Sequence, residues 1–185
     1  MFTILSCDPG APNFGFAIVE FSDNTKTKCV EIRVVQIGLL QSVLKNLKDD
    51  PRAELKSMHK EINELVKKHS PDIFIAERFL IRSFRTQIAE TIPMMIGYLL
   101  KALPAKIDCR LTMAVTWKAK AKKVFGLKKL DQLYTEVDSY PHELDAVLMA
   151  IYCAGALELL ADGAVWGKLK TQINKLTTKP NLRKK

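Results

Sequence analysis

The chain has 185 residues, with 29 Lys and Arg against 20 Asp and Glu and a formal net charge of +9. At 48% hydrophobic and 26% charged residues it has the make-up of an ordinary globular domain, which excludes a disordered, collagenous or disulfide-dense chain. Phe2 to Cys7 and Phe14 to Phe21 are apolar and β-prone, and Cys29 to Ile37 alternates Val30, Ile32 and Val34 with polar neighbours, so three strands are expected. The links Asp8 to Asn13 and Ser22 to Lys26 are short and dense in turn formers, which suits an antiparallel meander. Pro51 to His69 then sets Leu55, Met58, Ile62, Leu65 and Val66 at helical spacing and stops at Ser70-Pro71. The continuous apolar run Asp72 to Ala76 reads as a strand buried on both faces, and the β-α-β crossover lays it parallel to the first strand. Phe84 to Leu103 reads as a second helix that Pro93 kinks or restarts, Cys109 to Val115 as a fifth strand, and Thr116 to Glu136 as a lysine-rich helical region broken at Gly126. Ser139-Tyr140-Pro141 reads as a cap and a first-turn proline opening a long apolar helix from about His142 to Ala161. Beyond Gly163 a loosely ordered basic tail is expected. The fold class is therefore α/β, a mixed five-stranded sheet (antiparallel meander plus parallel strands) flanked by helices, with one domain over 1–162 and a tail over 163–185.

Where the charge sits is more informative than its sum. Between Lys101 and Lys129 there are nine basic residues and one acid, from Lys168 to Lys185 seven and none, and the rest of the chain sums to −6. An acidic body carrying two basic segments is the footprint of a phosphate-backbone binder. Cys7, Cys29, Cys109 and Cys153 contain no CxxC pair and read as small buried residues of a reducing compartment. The opening MFTILSC lacks a basic n-region, and the longest uncharged apolar run, Ala146 to Leu157, falls well short of the ~20 residues of a membrane span. A cytoplasmic chain without membrane association is expected.

Four residues are the candidates for chemistry. Asp8 and Glu77 end the first and fourth strands, and two adjacent parallel strands would bring both carboxylates to one crevice. Asp145 lies inside an apolar helix, where a charge is costly without a cation or donor, and His142 shares its face at i−3. Acids on a protein whose partner is polyanionic make sense once divalent cations join them: a pair of Mg²⁺ ions ~3.5–4 Å apart serves both oxygens of phosphodiester cleavage. Each residue also has a purely structural alternative. Asp8 suits a turn, Glu77 a surface pair with Arg78 or Arg82, and His142 a helix start. Asp138, ahead of the helix, is a spare candidate that equally suits the helix dipole.

The string ILSCDPG from Ile4 to Gly10, with NFGFAIVE from Asn13 to Glu20, resembles the opening of RuvC-type Holliday junction resolvases. Ile75-Ala76-Glu77 resembles that family's second acidic motif and HELDAV, His142 to Val147, its last, so the resemblance spans about Phe2 to Ala156. It implies an RNase H-like fold with Asp8, Glu77, His142 and Asp145 as the catalytic, Mg²⁺-binding set, two ions per site, Mn²⁺ able to substitute. It further implies nicking of four-way junctions to leave 5′-phosphates; broader branched-DNA cutting, RNase H-type cleavage and non-catalytic junction binding are the alternatives. Lys118 and Lys129 resemble two DNA-contacting positions, and Lys122, Lys123, Arg78 and Arg82 add basic charge around them. Family members are homodimers, and the helix after the second acid, with Ile88, Ile92, Met95, Ile96 and Leu99, is either the interface or a face packed on the sheet. The family's wedge aromatic is Leu80 here, so Phe79 or Phe84 would take that role, and Phe79 equally suits the core.

Overall fold

Three long strands, β1 (Phe2–Pro9), β2 (Phe14–Asn24) and β3 (Cys29–Leu39), pair antiparallel in chain order, as short links require. The computed structural model describes residues 1–9, 14–24, 29–40, 51–78 and 88–177. Helix α1 (Pro51–His69) returns the chain to β4 (Ile73–Arg78), parallel to β1, and α2 (Ile88–Ala102) returns it to β5 (Asp108–Met113), parallel to β4. The five strands lie in the order β3-β2-β1-β4-β5. This is the mixed sheet that the meander and crossover predicted.

Period-2 alternation gives the sheet two apolar faces. Leu5, Ile18 and Phe74 pack with Met58 and Ile62 of α1 and Met95 and Leu99 of α2. Ile4, Ala17, Val19 and Ile75 pack on the other side, under α3 (Ala114–Phe125), α5 (Pro141–Cys153) and α6 (Gly163–Leu176). Between α3 and α5 lies a single turn, α4 (Asp131–Tyr134). Helix α5 is buried at every position from Glu143 to Ile151, as its apolar sequence demands.

Several expectations need correction. The last apolar helix stops at Cys153 rather than Ala161, because Gly155 takes a left-handed φ of +70° and the chain re-forms as a 3₁₀ turn over Leu157–Ala161. Ser139 does not cap that helix: its buried hydroxyl has no partner among the described residues, and Glu143 reaches back to the Tyr140 N–H instead. The tail is not loose where it is described. Residues Gly163–Leu176 form α6, N-capped by Asp162, with Trp166, Leu169 and Ile173 buried against the core. Gln172 accepts the Val34 N–H of the edge strand β3 at 2.7 Å, so α6 also closes an exposed sheet edge. Cys7 is buried, but Cys109 is exposed because it sits on β5, the opposite edge strand. Of the α2 stripe, Ile92, Met95, Ile96 and Leu99 are buried within this chain and so pack on the protein's own core, while the side chain of Ile88 lies outside those described. Among the described residues no helix is long and apolar enough to cross a membrane.

Candidate active site

Strand alternation aims the first two acids. Ile4 faces α5 and Leu5 faces α1 and α2, so Ser6 and Asp8 follow Ile4. In β4 Ile73 and Ile75 lie on the α5 side and Phe74 and Ala76 on the other, which puts Glu77 on the α5 side as well. Cys7 pairs with Ala76, so Asp8 and Glu77 are the next neighbours at the C-terminal ends of two parallel strands, where open α/β sheets present ligand sites.

Helix α5 brings its N-terminus to the same place. Pro141 occupies its first turn, and the buried Glu143 carboxylate accepts the Tyr140 N–H at 2.9 Å and the Thr177 hydroxyl at 2.8 Å, which ties the end of α6 to the start of α5. His142 Nδ1 is hydrogen-bonded to Asp8 Oδ2 at 2.5 Å. That bond raises the His142 pKa above the ordinary imidazole value against the opposing effect of burial. The close seat of the helix depends on Gly15, the β2 residue opposite Asp8: a Cβ there would overlap the backbone carbonyl of His142.

The third contribution comes from the lysine-rich region. Helix α3 ends at Gly126, whose φ of +64° turns the chain back toward α4. Lys118 of α3 pairs with Asp145 Oδ2 at 2.7 Å, and Tyr134 of α4 donates its hydroxyl to Asp145 Oδ1 at 2.7 Å. Buried Trp117 donates Nε1–H to Glu77 Oε2 at 3.0 Å, and the Lys118 ammonium stands 5.0 Å from the centre of the same indole ring. Burial and mutual repulsion hold Glu77 and Asp145 above the ordinary carboxylate range, although Lys118 pulls both down. Burial would lower Lys118, yet the attraction of Asp145, Glu77 and Asp8 outweighs it and leaves the ammonium more firmly protonated than usual.

Thus Asp8, Glu77, His142, Asp145 and Lys118 come together. Lys122 lies one turn along α3 from Lys118, whereas Lys123 lines the cavity between α3 and the 3₁₀ turn with Lys120 and Glu158, away from the acids. Lys129 and Arg78 are exposed, and Asp138 sits in the turn before α5 with its N–H bonded to Asn174. Phe79, Leu80, Arg82 and Phe84 lie outside the described residues. Trp117 and Tyr134 are site residues that sequence reasoning missed; the signal for Trp117 was a lone indole next to a lysine in a basic helix.

The donor chemistry suits a hard divalent cation: carboxylates raised by burial and by one another's charge, and already drawing in an ammonium, are stabilised by added positive charge. Among the described residues no three of His, Cys, Asp and Glu stand as a ready-made metal cage. Trp117, Tyr134, His142 and Lys118 each hold one of the carboxylates in a separate hydrogen bond.

No family model matches the sequence, and no curated protein does. Among solved structures the chain is similar to Thermus thermophilus RuvC in complex with Holliday junction substrate, at 15% identity and a TM-score of 0.56, over 92% of this chain and 98% of that one. A second T. thermophilus RuvC structure gives 14% identity and a TM-score of 0.53, over 90% and 96%. The yeast mitochondrial Holliday junction resolvase gives 14% and 0.51, over 91% and 85%. At such identities the likeness is one of fold, and the fold is the RNase H-like fold of RuvC-type resolvases.

Proposed function

We propose that this protein is a divalent-metal-dependent DNA endonuclease that resolves four-way junctions by paired nicks leaving 5′-phosphates. The observation that carries the reading is the delivery of Asp8, Glu77, His142 and Asp145, from β1, β4 and α5, to one crevice that also holds a lysine. The described functions of the similar structures support it, as does the basic region beside the acids.

Asp8, Glu77, Asp145 and His142 would hold Mg²⁺ or Mn²⁺, which supplies charge neutralisation at the entering and leaving oxygens of an in-line displacement. His142, oriented by Asp8, would position the attacking water on the scissile phosphorus, and the 3′-oxygen departs. Lys122, Lys129 and the exposed Arg78 would bind the flanking phosphates, giving the steep salt dependence of backbone contacts. A junction with two-fold symmetry calls for two related sites, so the protein would act as a homodimer. The α2 stripe is used in its own core, which leaves the outward face carrying exposed Met94 to meet the second copy. A DNA substrate puts the protein inside the cell.

The test is cleavage of a four-way junction against an RNA–DNA hybrid of matched length, with Mg²⁺ and with EDTA. Paired nicks in the junction with Mg²⁺ alone are expected; cutting of the hybrid in preference would assign an RNase H-type activity instead, and binding without cutting an architectural one. Trp117→Phe removes the donor to Glu77 and keeps an aromatic ring in its place. It should lower kcat on the junction by about 10–100-fold, the usual weight of an outer-sphere partner, with little change in junction affinity by gel shift.

A further inference from the structure

Lys118 and a divalent cation need the same oxygen. Asp145 Oδ1 is taken by the Tyr134 hydroxyl and Oδ2 by the Lys118 ammonium, at 2.7 Å each, on a side chain that is only 5% exposed. The ammonium is also attracted by Glu77 and Asp8, so it is the positive centre of the whole acid cluster. The side chain is not locked away: it is 33% exposed, its ammonium stands 5.0 Å from the centre of the Trp117 ring, and four flexible methylenes let that ammonium swing outward.

We propose that Lys118 serves as an exchangeable internal cation, seated on Asp145 until a divalent ion displaces it, and then available to a DNA phosphate at the crevice mouth. This rests on the metal-dependent reading above. One oxygen cannot accept the ammonium and ligate the ion at full strength, and a divalent charge among the acids repels the ammonium outward. Metal binding would thereby create a phosphate-binding group, and by linkage DNA would tighten the metal to the same degree. The protein would hold its acids together without metal and add a DNA contact only when armed to cut.

The experiment measures Mn²⁺ binding to the DNA-free protein by electron paramagnetic resonance, and junction binding in EDTA and in Ca²⁺, for wild type, Lys118→Met and Lys118→Arg. Lys118→Met should bind Mn²⁺ about 5–10-fold tighter than wild type, within the usual range of site-to-site coupling. Lys118→Arg, which keeps the competing charge, should stay within about twofold and show that the position tolerates change. The wild-type advantage over Lys118→Met in junction affinity should be larger in Ca²⁺ than in EDTA. Equal or weaker Mn²⁺ binding by Lys118→Met, or a junction deficit of the same size in EDTA and Ca²⁺, would overturn the exchange and leave Lys118 a fixed phosphate contact. Absence of Mn²⁺ binding by wild type and both variants would instead overturn the metal-dependent reading on which the exchange depends.

Discussion

Asp8→Asn should abolish junction cutting while leaving junction affinity equal to or tighter than that of the wild type. The substitution keeps shape and removes one negative charge from a crevice where burial, and then the repulsion of Asp8, raises the pKa values of Glu77 and Asp145. Asp8 is bonded to His142 as well, so the change also disturbs the imidazole that would position water. The loss should exceed the about 10–100-fold weight of outer-sphere partners, reaching about 10³-fold or more in single-turnover rate. Glu77→Gln and Asp145→Asn should behave alike, because in the proposed site all three would act as one unit, with effects that do not add. Reduced charge facing a polyanion accounts for the retained or improved binding. A gel shift beside a single-turnover assay reads both quantities, and preserved cutting by Asp8→Asn would remove it from the active site.

Gly15→Ala should damage both stability and activity. Its Cβ would fall on the backbone carbonyl of His142, and backbone cannot swing aside as the end of a side chain can. Either β2 must bend or α5 must lift, and α5 carries nine consecutive buried residues. The loss of stability should sit at the upper end of overpacking costs, about 3 kcal/mol, read from urea unfolding. Activity should fall further than stability explains, about 100-fold, since an ångström-scale shift of His142 breaks its alignment with Asp8. Gly97 provides the contrast. It lies in α2 with open space around it, so Gly97→Ala should stabilise by about 0.5–1 kcal/mol through helix propensity. Wild-type stability in Gly15→Ala would mean that α5 does not seat on β2 at that point.

The convergence of the acids was legible because one-dimensional rules govern it. Asp8 and Glu77 end two strands that a crossover makes parallel, and a carboxylate at position 145 of an apolar helix advertises a partner. Trp117 and Tyr134 follow no such rule: each is defined by an acid that arrives from another element, and nothing in their own spacing shows it. The same holds for Gly15, whose need to be glycine comes from a helix more than a hundred positions later. Helix α6 was missed for a different reason. The count of lysines in the last segment concealed Trp166, Leu169 and Ile173, a helical stripe that pays for its own ordering by burial. The α2 stripe shows the converse, since an apolar face satisfies a sheet as readily as a second copy.

The bond from Thr177 to Glu143 has a consequence for how the protein matures. The peptide segment that orients His142 is anchored by the helix that leaves the ribosome after every strand and after α5. A nascent chain still lacking α6 would own all the carboxylates without the Thr177 bond that braces Glu143 at the start of α5. On the proposed reading, cutting competence would therefore arrive only once α6 has been made and docked.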